Sequence, residues 1–361
     1  MFESLINIAG NLYGRLHRPY TCLFFKSDYA GWVLDWEMRE IMVIASKIGI
    51  RVGHSRWTSG VRRQAIFYAN QFELFDKMAL KAKGNRLGFA YFHGRSFELD
   101  DEFRRTYQLF CDNHQSIHRI QVSNTGFRDF LLESGVSPDK VFVIPIGVNL
   151  RFFRYQTRES RLNLRRKYGI PLSAVVVGSF QKDGVGWNEG NQPKFIKGPD
   201  VFLKVIDILR KMIPELFIVL SGPARGYVKN GLERMKVPYV HYMLKEYPEV
   251  GELFQTLDVY MVTSREEGGP KAILESMASG IPLVTTRVGQ AVDLVKHGKN
   301  GWMVDVEDFE GLAHWTYHAI DNSEGRKSIL DFARSTAEHN SYDAQQELWR
   351  RFMNGFVEIV A

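Results

Sequence analysis

The chain has 361 residues, 45% hydrophobic and 24% charged, which suits two packed domains and excludes a largely disordered protein. Net charge is +6, with seven basic residues against one acidic in Arg151–Lys167, 19 against 15 over residues 1–150, and 21 against 25 beyond. A basic face interleaved with aromatic or polar base readers is missing, so no nucleic-acid partner is expected, and the two cysteines, Cys22 and Cys111, fit a reducing, cytoplasmic setting without a thiolate metal site.

In chain order, the first feature is an amphipathic stripe of Phe2, Leu5, Ile6, Ala9, Leu12, Tyr13 and Leu16 at helical spacing, followed by Arg15, His17 and Arg18. A helix packed on its own domain has this pattern, as does one lying on a membrane surface, which leaves peripheral contact with the inner membrane face as the alternative. No apolar run is long enough to span a bilayer, and no signal peptide is recognisable. Short β-branched or aromatic runs then alternate with helical stretches. They predict strands at Thr21–Lys26, Ile50–His54, Ala65–Tyr68, Leu87–Phe92, Arg119–Ser123 and Val141–Ile144, with a helix from Leu34 to Ile48 after the first. Turn chemistry at Pro145–Asn149 marks a break, and a basic helix Arg158–Tyr168 follows. A second series begins at Ala174–Phe180 and continues with Leu216–Ser221, Val240–Met243, Val259–Thr263, Leu283–Thr286 and Trp302–Val304. A last helix from Ser341 carries Leu348, Trp349, Phe352, Met353 and Phe356 on one face. The expectation is an α/β protein of two Rossmann-like, doubly wound domains facing across a cleft: 1–150, 151–340, and a helix at 341–361 packing back on the first.

The most informative stretch runs from Ser264 to Pro282. Gly268 and Gly269 allow a sharp turn and a close backbone approach to a ligand. Pro270 suits a first helical turn, and the amides of Lys271 and Ala272 behind it face the positive end of the helix dipole, a place for a diphosphate. Glu267 precedes the helix and Glu275 lies inside it, eight residues on. Glu275 alone would be read as a dipole complement, but the pair at this spacing behind two glycines is harder to read so.

This segment resembles the E-x7-E signature of retaining GT-B glycosyltransferases of the family 4 type, the large group that includes bacterial mannosyl- and glucosyltransferases. The resemblance implies that Glu275 binds the ribose hydroxyls, that Glu267 contacts the donor sugar near the reacting centre, and that the amides between them hold the diphosphate. Members usually carry a third glycine where this chain has Pro270. Val177-Gly178-Ser179-Phe180 is similar to the first strand of the family's C-terminal domain, but Ser179 stands where an arginine is usual, and Lys182 is the expected substitute. Lys197-Gly198-Pro199-Asp200 resembles the element whose lysine neutralises the leaving diphosphate, with Arg265 as a further helper. Val288 to Asp293, His297–Gly301 and Ile144–Asn149 also match, whereas the N-terminal domain matches thinly. There, Gly31 sits where the family has a phosphate loop. His93, a position otherwise read as structural, sits where the family has a histidine near the donor sugar.

The long loop from Gln181 to Ile196 contains Gly184, Gly186 and Gly190, but its GxGxxxG spacing does not open directly into a helix as a dinucleotide fingerprint does. A loop of that length reads as a mobile flap over the site. No Walker A, HExxH or GxSxG sequence is present. The resemblance therefore implies a hexosyltransferase with a nucleotide sugar, UDP- favoured and GDP- open, as co-substrate and with no further cofactor or metal. The acceptor would be a hydroxyl of a glycan, lipid or small molecule. Retention at the anomeric carbon by a front-face route is implied too. The rivals are a nucleotide-sugar epimerase or phosphorylase of the same fold and a non-catalytic nucleotide- or glycan-binding protein.

Overall fold

The computed structural model describes residues 18–27, 33–54, 58–74, 84–93, 101–321 and 325–359. Residues 2–16 and Gly31, read above as an amphipathic helix and a phosphate-loop glycine, lie outside that set. The chain divides into two compact units, one of residues 1–146 with 342–361 and one of residues 147–341.

The first unit holds a parallel six-stranded sheet: β1 (Leu23–Lys26), β2 (Val52–His54), β3 (Ala65–Tyr68), β4 (Arg86–Tyr91), β5 (Arg119–Val122) and β6 (Val141–Val143). Their order is β2-β1-β3-β4-β5-β6. Successive side chains of a strand go to opposite faces, and both faces are covered. Ala65 and Phe67 join one buried cluster with Met38, Ile41 and Ile44 of the helix Val33–Lys47. Ile66 and Tyr68 join the other, with Phe110, Phe127 and Leu131.

The first cluster is completed by the end of the chain. Helix Gln346–Met353 places Trp349, Phe352 and Met353 in it. Phe67 meets Trp349 edge-on at 5.8 Å and Phe352 at 5.5 Å. Arg119 donates to the carbonyls of Phe352 and Asn354, and Arg86 to that of Phe356, so the segment is fastened by backbone as well as apolar contact. The helix begins five residues later than its sequence suggests, because Tyr342 turns inward to donate to Glu37 and Gln345 donates to the Pro145 carbonyl.

The second unit repeats the plan with β7 (Val175–Phe180), β8 (Leu216–Ser221), β9 (Tyr239–Tyr242), β10 (Val259–Val262), β11 (Leu283–Thr286) and β12 (Trp302–Val304). All pairs are parallel, in the order β12-β11-β10-β7-β8-β9. Val176 and Val219 enter one core layer, Val177, Ile218 and Leu220 the other. The strand order reverses between β7 and β10, which pair through Val259↔Val177 and Tyr260↔Gly178. In open α/β sheets a ligand crevice forms beyond the carboxyl ends of such a pair.

Candidate functional site

Two segments leave the carboxyl ends of β7 and β10, and their side chains meet. After β10, Thr263 and Ser264 lead into the turn Arg265–Lys271, and a seven-residue helix, Ala272–Ala278, follows. After β7, residues 181–194 form a loop that ends in a 3-10 turn, Phe195–Lys197. The Ile196 carbonyl accepts the backbone N–H groups of Arg265 and Glu266 at 2.8 and 3.1 Å, which locks the 3-10 turn to the start of the second segment. Gly198 has φ +63°, and a Cβ there would lie 1.9 Å from the Thr263 carbonyl oxygen; only glycine allows this approach.

Lys197 and Glu267 are thereby brought together. Lys197 Nζ donates to Glu267 Oε2 at 2.6 Å, and Ser264 Oγ donates to Oε1 at 2.8 Å. The lysine side chain is 17% exposed and that of Glu267 8%. The pair is nearly dry, so its charges act at higher strength than on an open surface. Glu275 is buried on the helix behind the turn. Gly268, Gly269, Pro270, Lys271 and Ala272 complete the turn, and its reverse side is held by β11 and the segment after it. Thr286 Oγ1 donates to the Ser264 carbonyl at 2.6 Å and Gln290 Nε2 to the Pro270 carbonyl at 3.2 Å. Gly289 lets that segment pack on the turn, since a Cβ there would lie 2.6 Å from the Gly268 oxygen.

Two expectations need correction. Arg265, taken as a helper for the diphosphate, is committed elsewhere: its guanidinium is bidentate to Asp200 at 2.8 and 2.7 Å and also donates to Glu307 and the Phe195 carbonyl. These contacts raise its pKa, the Asp200 hydrogen bond most, and make it a brace for the turn. Gly178, assigned to the donor, also meets a packing need, because a Cβ there would lie 2.3 Å from Leu257 Cδ1. The loop 181–196 is not a free flap. Gly184 bridges to Pro193, and the carbonyls of Glu189 and Gly190 accept from the backbone of Gly226 and Tyr227. Its glycines make the docking possible: at Gly190 a Cβ would lie 2.3 Å from the Ala224 oxygen. Val185 and Trp187 at the tip and Phe195 near the end of the loop stay exposed.

Sequence reasoning missed the cation that accompanies Ser179. Lys182, the expected substitute, lies with Nζ 3.9 Å from the ring centroid of Trp187, and burial lowers its pKa. Arg225, just before helix Gly226–Met235, is the guanidinium that reaches Ser179. It donates to the Ser179 carbonyl at 2.6 Å, to Ser179 Oγ at 3.1 Å and to the Ser221 carbonyl at 2.9 Å. Its Nε lies 3.0 Å from Asp183, with both side chains 0% exposed. Burial pushes the Asp183 carboxyl up and Arg225 opposes it. The available signal was the serine itself, since a strand end deprived of its usual arginine leaves room for one from another element.

His93 belongs to the first unit, just after β4. Its carbonyl accepts from Gln71 Nε2 at 2.9 Å, and its ring stacks on Phe103 with centroids 5.9 Å apart. Among the described residues no three His, Cys, Asp or Glu side chains gather as a metal site requires, and no helix is long and apolar enough to cross a membrane.

Comparison with known proteins bears on the same segments. Residues 193–336 match the family model described as glycosyl transferases group 1. The chain is similar to a D-inositol 3-phosphate glycosyltransferase of Corynebacterium urealyticum, 27% identical over 241 residues that make up 62% of this chain and 54% of that protein. It is also similar to N-acetyl-alpha-D-glucosaminyl L-malate synthase of Bacillus anthracis, 23% identical over 51% of this chain and 46% of that one. The chain thus spans about half the length of the curated relatives it matches. Among solved structures, Anabaena Alr3699/HepE in complex with UDP and glucose superposes with a TM-score of 0.73 at 17% identity, covering 93% of this chain and 99% of the other. Sucrose-phosphate synthase of Thermosynechococcus elongatus gives 0.72 at 13% identity, covering 94% and 100%. At these identities the likeness is one of fold.

Proposed function

We propose, for a chain whose C-terminal domain is that of the glycosyl transferases group 1 family in a GT-B fold, that it moves a hexosyl unit from a nucleoside diphosphate sugar to an acceptor hydroxyl. The observation that carries this reading is the Lys197–Glu267 pair at the reversal of strand order, with Glu275 buried eight residues behind it. In such a transfer, negative charge develops on the departing diphosphate, and preorganised donors that need no rearrangement stabilise it. Lys197 supplies the charge. The turn Gly268–Ala272 supplies backbone donors, and Glu275 receives the ribose hydroxyls. Glu267 orients Lys197 and faces the sugar, with Ser264 holding its second oxygen. The route is metal-independent and retaining, with the leaving phosphate accepting the acceptor's proton as its own bond to the anomeric carbon breaks.

UDP is the favoured carrier, in keeping with the UDP and UDP-glucose complexes of Alr3699/HepE, and a small polyol or hydroxy acid is the favoured acceptor, in keeping with the names of the curated relatives. A thermal-shift panel with UDP, GDP and ADP on wild type and Glu275→Ala tests the donor site. A ligand at 100 times its dissociation constant adds about 2.7 kcal/mol of stability. One diphosphate should stabilise wild type, with the response lost in the variant; no response to any of them would overturn the reading. Anomeric configuration of the product by NMR tests retention, and an inverted product would refute it.

A further inference from the structure

The basic run Arg151–Lys167 has no part in the transfer, yet the fold gathers three of its arginines. Helix Arg158–Lys167 carries Arg158, Arg161 and Arg165 on one face at helical spacing. Arg326, from the start of helix Arg326–His339, joins them around a cavity of about 520 Å³. That volume lies in the range of small-molecule sites. Its floor is formed by Ala174, Val175 and Asp258, the residues that begin β7 and precede β10. The Lys197–Glu267 pair follows the other ends of the same strands, roughly 20 Å away for a six-residue strand.

Four guanidiniums line this cavity against one carboxylate, that of Asp258. Asp258 is already shared: it accepts from Arg161 at 2.9 Å, from Arg165 at 2.7 Å and from the Val176 amide at 2.8 Å. Arg165 is spent on that carboxylate and on the carbonyls of Thr256, Leu172 and Ala174. Among the described residues Arg326 donates to the carbonyls of Ala319 and Asp258. Burial chiefly, with repulsion from Arg161 against the pull of Asp258, lowers its pKa. Arg161 Nε is buried without an acceptor, and Arg158 makes no hydrogen bond or ion pair among the described residues. Four guanidiniums against one carboxylate leave positive charge that the cavity's own residues do not neutralise, and planar guanidinium forks match phosphate oxygens.

We infer that this cavity is a second anion site, which takes a soluble phosphate-bearing small molecule through Arg158, Arg161 and Arg326, apart from the nucleotide-sugar site. The inference does not depend on the proposed transfer. Inorganic pyrophosphate, titrated at fixed ionic strength against wild type, Lys197→Met, and Lys197→Met carrying Arg158→Glu or Arg161→Gln, tests it by calorimetry and by the melting temperature relative to each protein's own baseline. Lys197→Met should remove any pyrophosphate held at the donor turn and keep one binding event, and adding Arg158→Glu or Arg161→Gln to it should weaken that event at least tenfold. Arg158→Glu leaves the Asp258 contacts intact and so keeps the test readable if Arg161→Gln fails to fold. No binding by wild type, binding lost in Lys197→Met, or binding unchanged when Arg158→Glu is added to it, would overturn the assignment.

Discussion

Replacing Gly198 by alanine tests how the Lys197–Glu267 pair is built. The position has φ +63°, and a methyl group would stand 1.9 Å from the Thr263 oxygen and 2.8 Å from its carbonyl carbon. The left-handed conformation costs an L-residue about 1–2 kcal/mol. Forcing an extra carbon into a packed site adds about 1–3 kcal/mol. Both atoms in the way belong to the backbone leaving β10, so no side chain can swing aside. Gly169 separates the two costs: it has φ +60°, closes helix Arg158–Lys167, and a Cβ there would meet nothing within 4 Å. Gly169→Ala should therefore lose about 1–2 kcal/mol by the conformational cost alone, and Gly198→Ala about 2–5 kcal/mol by the two together. Urea unfolding of both variants gives the difference directly. Gly198→Ala should also blunt stabilisation by the diphosphate, because a shift of the backbone here carries Lys197 off Glu267. Equal losses in the two variants would refute the steric reasoning.

Asp183→Ala leaves Arg225 without its buried carboxylate and should cost about 3–5 kcal/mol in chemical denaturation; a loss near zero would mean the pair is dispensable. Trp349→Ala removes the ring that meets Phe67 and Phe352, and should cost about 3–5 kcal/mol in the same assay. His118 and His241 both lie below the ordinary histidine value of 6.5, each chiefly through burial, with Arg86 adding at His118. The folded protein then binds fewer protons than the unfolded chain, so stability should be full above about pH 6.5 and fall as the pH drops below it. Denaturation midpoints at pH 8 and 5.5 check this, and a His118→Gln, His241→Gln double variant should flatten the slope.

The strands were legible because their residues are apolar on both faces, as parallel sheets buried between helices require. Ala65–Tyr68, Leu216–Ser221, Leu283–Thr286 and Trp302–Val304 begin and end where their sequence suggests. The turn Ser264–Lys271 was legible for a different reason, since two glycines, a proline and spaced carboxylates are unusual after an apolar strand. What escaped was long-range pairing. Arg225 and Asp183 show no periodicity or spacing that links them, and only the docking of loop 181–194 on Ala224–Gly226 brings them together. That loop looked structureless because its order comes from glycine contacts with a distant helix start and not from its own pattern. Arg265 looked like a free cation for a similar reason, as its partner Asp200 lies 65 residues away.

The first unit is discontinuous in sequence, with residues 342–361 filling the core face that Phe67 and Leu23 line. During synthesis, residues 1–146 leave the ribosome without that cover, and the whole of residues 147–341 must follow before it arrives. At about 5–20 residues per second the delay is on the order of 10–40 s. The second unit can therefore mature first, although it is made second. Until Trp349 and Phe352 dock, the earlier half of the polypeptide presents an uncovered aromatic sheet face, the kind of surface on which chaperones act and aggregates nucleate.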